Sequence, residues 1–183
     1  MCAARDCGHD RLLAFYCKGR GVCPSCNARR MAEVAAHLTD EVVPYLPVRQ
    51  WVLSVPKRLR PFLHQTPEVA GAVLGIFLRA LRSALRDASP GAPAAVRDAQ
   101  LGAISFPQRF GGYLNPHYHY HVLALDGVVS GDIEHRVRFH EATSLEARDA
   151  EALARTVQLR VLRWFTRHGL LDPSGPPPAN GSR

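Results

Sequence analysis

The chain lacks any apolar run long enough to cross a bilayer. Its longest uncharged apolar run, Val69 to Leu78, has ten residues, whereas a membrane-spanning helix needs about 18 or more. The first eleven residues carry charges and two cysteines where a signal peptide requires an apolar core. Neither a membrane protein nor a secreted protein is indicated, so we expect a cytoplasmic location with reduced thiols.

Acidic residues are scarce in two N-terminal stretches. Residues 1–30 contain six Lys or Arg against two acids, residues 48–64 contain four against none, and the acids collect between Asp132 and Glu151. The net charge of +7 is therefore unevenly distributed, which favours a polyanion such as DNA as partner. A solvated basic surface is the alternative. The basic residues predicted to contact DNA are Lys18, Arg20, Arg29, Arg30, Lys57, Arg58, Arg60 and Arg109.

The pattern of cysteine, proline and apolar residues divides the chain into four parts. Residues 1–30 contain all five cysteines and form a small zinc-binding segment. Residues 31–47 are assigned to a linking helix. The helical pattern itself begins at Asn27, at the end of the zinc-binding segment, and ends near Val43, before Pro44. Residues 48–171 make up the main domain, and residues 172–183 form a proline- and glycine-rich tail that we expect to be disordered.

Within the main domain, strand and helix patterns succeed one another. Strands are predicted at residues 50–55, 101–106, 117–129 and 136–140, with a loop at 109–115. A first long helix follows the cap residue Thr66, and a second runs from Ser144 to Gly169. Their predicted apolar faces are Val69, Val73, Ile76, Phe77, Leu81 and Leu85, and Leu153, Val157, Val161, Trp164 and Phe165. This order predicts an α+β fold, an antiparallel sheet covered by helices on one face.

The cysteines are spaced for zinc. Cys23-Pro-Ser-Cys26 is a two-residue-spaced pair in a turn, the geometry with which two thiolates grip a tetrahedral zinc ion. Candidates for the remaining ligands are Cys2, Cys7, Cys17 and His9. A redox role would instead place the pair at a helix start within a β-α-β unit, without further cysteines beside it. A segment this small has little core, so zinc would contribute most of its folding energy.

Three histidines alternate in the stretch Asn115-Pro-His-Tyr-His-Tyr-His-Val, at the start of the strand predicted at residues 117–129. Alternation places His117, His119 and His121 on one face. His119 and His121 have Cα atoms about 7 Å apart and His117 and His121 about 13 Å apart, so the first pair is the predicted metal site and His117 an auxiliary. The alternative is a polar sheet face on which the histidines have hydrogen-bond partners and bind no metal. An ion there would polarise a phosphoryl oxygen. Weaker ligand candidates are Asp126, of opposite strand parity, and Glu134 and His135.

No tyrosine is well placed to attack a phosphate at that metal. Tyr118 and Tyr120 belong to the opposite face of the strand. Tyr16 and Tyr45 precede the sheet, and Tyr113 falls in a loop. The nucleophile therefore stays unassigned.

Three stretches together resemble a known family. They are residues 12–31 with the cysteine pair, Pro47-Val-Arg-Gln-Trp-Val-Leu-Ser-Val-Pro56, and His119-Tyr-His121 followed by Val-Leu-Ala-Leu-Asp-Gly. The chain is similar to the rolling-circle insertion-sequence transposases of the two-tyrosine HUH type, which carry a zinc-binding domain before the nuclease. The resemblance extends to about Leu171.

The resemblance implies an HUH endonuclease-like fold preceded by a zinc-ribbon-like segment. It also implies Mg²⁺ or Mn²⁺ on His119 and His121, and a tyrosine that cuts one strand of DNA and stays linked to its 5′ phosphate. The partner would be the single-stranded ends of an insertion sequence. Among the cysteines, it assigns zinc to Cys7, Cys23 and Cys26, with Cys17 also in the family's pattern.

Two positions depart from the family's pattern. Ala4 occupies a zinc-ligand position, and the family's catalytic tyrosines lie beyond the helix that ends near Gly169. We therefore expect a family member shortened at both ends and without its nucleophile. The alternatives are a non-catalytic, zinc-dependent nucleic-acid-binding protein and a metal-dependent hydrolase or oxygenase of small molecules that uses the three histidines.

Overall fold

The computed structural model describes Cys2–Ala3, Asp10–Arg11 and residues 24–112, 115–131 and 136–171, with side chains from residue 27 onward. The chain divides into two compact units, Met1–Leu46 and Pro47–Arg183. In the part that is described, no helix is long and apolar enough to span a membrane.

The first unit contains a short antiparallel pair and a helix. Strand β1 (Cys2–Ala3) pairs with β2 (Asp10–Arg11). Helix α1 (Pro24–His37) continues into a single π-helical turn, Leu38–Val42. The helix thus begins three residues before the predicted Asn27, because proline is well suited to the first helical turn, where its missing N–H has no partner to lose.

The second unit is built on a three-stranded antiparallel sheet. Its strands are β3 (Val48–Ser54), β4 (Ala103–Phe110) and β5 (Pro116–Leu125), and their order is β3-β5-β4. The strand that carries the histidines is therefore central and hydrogen-bonded on both sides. The predicted α+β class with an antiparallel sheet is confirmed.

Helices cover one face of this sheet. They are α2 (Arg60–Gln65), α3 (Pro67–Asp87) and α4 (Ala147–Arg167), with a 3-10 turn at Lys57–Leu59 before α2. Both predicted apolar faces are confirmed: every predicted residue is buried except Trp164, which is half-buried. Burial of these faces against Tyr118, Tyr120 and Val122 of the sheet forms the core, whose removal from water is the main stabilising contribution to folding.

The predicted strand at residues 117–129 was wrong in its extent, because the chain turns at Asp126. The Asp126 carboxylate accepts two hydrogen bonds from the Arg49 guanidinium, at 2.7 and 3.0 Å. Its backbone N–H donates to the Pro47 carbonyl, and its carbonyl accepts from the Ala142 N–H. Strand β6 (Gly127–Ser130) therefore pairs separately with β7 (Arg138–Glu141).

Other predicted boundaries also shift. Strand β4 runs on to Phe110, so Arg109 lies in a strand rather than in the predicted loop. Helix α4 starts at Ala147 instead of Ser144, because Glu146 and Asp149 form a capping box in which each side chain binds the other's backbone N–H. Thr66 occupies the predicted cap position of α3 without a side-chain hydrogen bond. Gly169, with φ of 68°, terminates α4 as predicted.

Gly127 of β6 lies close to the backbone of β7. A Cβ atom at this position would come within 2.1 Å of the His140 carbonyl oxygen. Since the obstacle is backbone, we expect Gly127→Ala to separate the two strands and to lower the free energy of unfolding by about 1–3 kcal/mol. Urea denaturation of this variant is compared with Gly112→Ala, where a Cβ meets nothing within 4 Å. Equal midpoints for the two variants would contradict the prediction.

Candidate metal centre

Side chains of β5 alternate between the two faces of the sheet. Tyr118 and Tyr120 are 4% and 1% exposed and pack under the helices. His117, His119 and His121 are half-exposed on the opposite face, which we call the histidine face. The predicted alternation is confirmed.

The histidine rings form a row along the strand. Ring centroids lie 4.9 Å apart for His117 and His119 and 5.0 Å apart for His119 and His121. Among the residues that the structure describes, no three His, Cys, Asp or Glu side chains are grouped so that they could hold one ion. The three histidines therefore do not form a three-histidine site, and His119 is the member common to both close pairs.

Hydrogen bonds orient two of these rings. Nδ1 of His119 lies 2.8 Å from the carbonyl oxygen of His117. A carbonyl can only accept, so this nitrogen carries the proton and Nε2 of neutral His119 keeps a free lone pair. Nδ1 of His121 lies 2.8 Å from the side-chain amide of Gln50 on β3. The amide atom in this contact is Nε2, which can only donate, so Nδ1 of neutral His121 accepts the hydrogen bond and the ring proton lies on Nε2 of His121.

The contact of His119 with a carbonyl oxygen is of the kind that fixes metal-binding histidines. Ligand imidazoles usually donate their second N–H to a carbonyl or carboxylate, which sets the tautomer and the ring orientation. Neither Nε2 has a hydrogen-bond partner within the described ranges. Two nitrogen donors would suit a transition ion better than Mg²⁺, which prefers oxygen ligands.

Oxygen donors flank His119 on the neighbouring strands. In the antiparallel register, Ser54 of β3 and Gln108 of β4 lie directly opposite His119, one on each side. Opposed residues share a face, with Cβ atoms about 4.5–5.5 Å apart. Val52 and Phe106 flank His121 in the same way and are exposed. The histidine face therefore offers amide and hydroxyl oxygens at one end and an apolar surface at the other.

His117 has a different environment from the other two histidines. Partial burial, and then the positive charge of Arg60 and the neighbouring His119, hold the pKa of its imidazole below the ordinary value. Arg60 itself donates to the carbonyl oxygens of Val55, at 2.8 Å, and of Pro116, at 3.4 Å. Arg60 is thus committed to joining α2 to the sheet, which makes it a less available DNA contact than predicted.

The two tyrosines of β5 are part of the hydrophobic core. The Tyr120 hydroxyl donates to the Ala70 carbonyl at 2.8 Å, and burial beside Tyr118 raises the pKa of its phenol above the usual value. The Tyr118 ring packs edge-on against His64. Both tyrosines lie on the side of the sheet away from the histidine face, as predicted.

Two predicted DNA contacts lie at one end of the histidine face. Lys57 and Arg58 are exposed in the turn that follows β3, beside the end of β5 that carries His117. Arg109 is exposed but follows Gln108, the register partner of His119, at an irregularity of β4 between Gln108 and Phe110, so strand alternation does not place its side chain on the histidine face. In the first unit, Arg30 is exposed and Arg29 forms an ion pair with Glu33.

The predicted zinc ligands fall outside the described side chains. Cys7, Cys17 and Cys23 lie outside the described residues, and only the backbone of Cys2 and Cys26 is described, in β1 and α1. Lys18 and Arg20 also lie outside, as do the ligand candidates His9, Glu134 and His135. Both carboxylate oxygens of Asp126 accept hydrogen bonds from Arg49, so its carboxylate is engaged away from the histidines.

Comparison with known families bears on this N-terminal region. Residues 1–55 match the transposase zinc-binding domain. The matched region runs from the N-terminus through β3; it supports a relation to IS91-type transposases and indicates Zn²⁺ as the metal of this region. No curated protein matches the chain.

Gln50 is a site residue that sequence reasoning missed. The sequence alone predicts which face of β3 carries Gln50. It does not predict the strand register, which pairs Gln50 with Leu123 and thereby brings its side chain to His121. Losing a group that orients a ligand typically weakens metal affinity by about 10–100-fold. We expect this loss of Mn²⁺ affinity for Gln50→Ala in calorimetric titration, with Gln158→Ala, exposed on α4, unchanged. Equal affinities for both variants would remove Gln50 from the site.

Proposed function

We propose that this protein is a transposase-related DNA-binding protein that holds a divalent cation between His119 and His121 and binds single-stranded DNA across the histidine face. The observation that carries the proposal is the pair of neighbouring imidazoles on the central strand, whose ring centroids lie 5.0 Å apart and which are each oriented by a hydrogen bond at Nδ1. The transposase match of residues 1–55 supports the DNA as partner. An HUH endonuclease-like architecture for residues 48–171 is part of the same proposal.

Each group on the histidine face has a defined role in this proposal. When bound, the ion polarises a phosphoryl oxygen and stabilises negative charge that develops there. His119 and His121 hold the ion, and Gln50 fixes the ring of His121. Lys57, Arg58 and Arg109 neutralise adjacent phosphates, and these contacts set the register of the strand without reading its sequence. The list of proposed zinc ligands is Cys7, Cys23 and Cys26, with Cys2 and Cys17 as further candidates.

Binding of single-stranded DNA is tested by fluorescence anisotropy with a labelled oligonucleotide, with and without Mn²⁺. We expect Mn²⁺ to strengthen binding by the parent protein and to have no effect on the variant His119→Ala/His121→Ala. Lys57→Gln/Arg58→Gln is expected to lower the salt dependence, because each phosphate contact on a single strand contributes about 0.7 to the slope of log K against log salt. An identical Mn²⁺ response in parent and histidine variant would contradict the proposal.

Covalent attachment of DNA is a separate question. Tyr118 and Tyr120 are buried on the side of the sheet away from the histidines, so we propose that neither one forms a phosphotyrosine. Incubation with single-stranded DNA and Mn²⁺, followed by a denaturing gel and peptide mapping, tests this. An adduct mapped to either residue would overturn this part of the proposal.

A second candidate is a zinc-dependent nucleic-acid-binding protein without a catalytic metal. It is favoured by the fact that the family match covers residues 1–55 alone. In that case, a zinc chelator or Cys23→Ser/Cys26→Ser abolishes DNA binding, whereas the histidine variant binds DNA like the parent protein. The same anisotropy measurements therefore separate the two candidates.

A further inference from the structure

A second concentration of positive charge lies on the helices, away from the histidine face. Residues 76 and 79 of α3 meet residues 160–167 of α4, while the C-terminal end of α3 meets the first turns of α4, so the two helices run antiparallel. At the first of these contacts they enclose a groove of about 290 Å³, which we call the arginine groove. Its lining consists of Ile76, Arg79, Arg160, Arg163, Trp164 and Arg167.

Among the residues that the structure describes, no acidic side chain lines the arginine groove. All four arginines are exposed, and none forms an ion pair or hydrogen bond with another described residue. Asp87 and Asp149 line a neighbouring cavity between the same two helices, to which Arg160 also contributes. Four guanidinium groups around one depression repel one another, and an anion bound there relieves that repulsion.

The spacing of the arginines favours a polyanion over a single anion. Arg160, Arg163 and Arg167 recur at positions i, i+3 and i+7, which places them on one side of α4. From Arg160 to Arg167 the helix rises about 10 Å, more than one phosphate group spans. On the facing helix, the Arg79 guanidinium lies against Gly75. A Cβ atom built on Gly75 would be 3.1 Å from Nη1 of Arg79. A chain of phosphates fits this row.

The floor of the groove is apolar and partly aromatic. Trp164 is half-buried; its ring stacks on His168 with centroids 4.0 Å apart and an interplanar angle of 23°. Ile76 forms the other apolar part of the lining. Arginines around an aromatic floor are the combination with which proteins bind single strands, because phosphates pair with the cations and a base stacks on the ring. An acidic peptide would use the charge but not the aromatic floor.

We infer that the arginine groove binds single-stranded nucleic acid, with phosphates on Arg160, Arg163 and Arg167 and a base against Trp164. The groove is formed by α3 and α4, which cover the Tyr120 side of β5, so it lies on the other side of the sheet from the histidines. This contact does not depend on a metal at His119 and His121. A strand bound at both places would have to pass around the edge of the sheet, or two strands would be bound.

Tryptophan fluorescence isolates this site. The chain has two tryptophans, Trp51 and Trp164, so Trp51→Phe leaves Trp164 as the sole reporter. Titration of this full-length variant with oligothymidylate at low salt is expected to quench the emission. Adding Arg163→Gln/Arg167→Gln is expected to weaken binding at least about 10-fold and to lower the salt slope by about 1.4, since each single-strand phosphate contact contributes about 0.7.

The matched control carries Arg138→Gln/Arg155→Gln, the same charge change at two exposed positions outside the groove, and is expected to keep the affinity. His119→Ala/His121→Ala is expected to leave the Trp164 signal unchanged, so that failure of the metal site and failure of the groove give different results. Equal weakening by the groove and control variants would overturn the inference. Equal quenching by oligoglutamate would overturn it too, because it would assign the groove to acidic protein.

Discussion

Removal of zinc is expected to unfold residues 1–46 while residues 47–171 stay folded. The first unit matches a zinc-binding domain over its whole length. Between residues 27 and 46, no side chain is buried, so this described part contributes no apolar core. Structural zinc contributes about 10–16 kcal/mol to the folding of comparable zinc-finger peptides. Without the ion, the remaining interactions cannot offset the chain entropy of the unit.

Hydrogen exchange followed by mass spectrometry measures both units in one experiment. After treatment with a zinc chelator, we expect the amides of α1 to lose their protection and those of β5 to keep it. Cys23→Ser/Cys26→Ser should reproduce this pattern without chelator, and added zinc should restore it only in the parent protein. Retained protection of α1 in the metal-free protein would show that the first unit folds without zinc.

Replacing Phe165 with alanine is expected to lower the free energy of unfolding of the second unit by about 3–5 kcal/mol. Phe165 is fully buried. Its ring meets the edge of Phe62 with centroids 5.6 Å apart and contacts Trp164 at 5.5 Å. Truncation removes both aromatic contacts and leaves a cavity where α2 and α4 meet, since the surrounding residues relax only partly.

Denaturant unfolding of the second unit measures this loss in the free energy of unfolding. Leu159→Ala is the control on the same helix: its side chain is 47% exposed, so a change within about 0.5 kcal/mol is expected. A loss below about 1 kcal/mol for Phe165→Ala would mean that α4 contributes little to the stability of the sheet.

The sequence predicted the parts of the fold that depend on periodicity. Alternation along residues 117–121 placed histidines and tyrosines on opposite faces, because a strand has a period of two whatever it pairs with. The helical spacing of Val69 to Leu85 and of Leu153 to Phe165 likewise identified the buried faces. Boundaries were less accurate, because tertiary contacts set them. Asp126 ends β5 through an ion pair with Arg49, which is 77 positions away.

Residues brought together from distant positions could not be predicted. Gln50 meets His121 across a separation of 71 residues, and only the strand register makes them neighbours. The sequence did not predict the arginine groove for the same reason. Arg79 lies beside the arginines of α4 only because the two helices pack antiparallel. Arg60 was identified as a DNA contact from its charge, although its guanidinium binds backbone carbonyls.

The central position of β5 holds the proposed metal ligands in place. Both neighbouring strands hydrogen-bond to it over the histidine region, so the backbone beneath His119 and His121 is held in place. A site on such a rigid element keeps its ligands oriented before the ion binds, which lowers the cost of ordering them.

Electron spin echo spectroscopy of Mn²⁺ bound to protein labelled with ¹⁵N-histidine tests the metal assignment most directly. Two directly coordinated imidazole nitrogens are predicted for the parent protein and for His117→Ala, and one for His119→Ala or His121→Ala alone. A spectrum without coordinated nitrogen, or one that neither His119→Ala nor His121→Ala changes, would contradict a metal centre at His119 and His121.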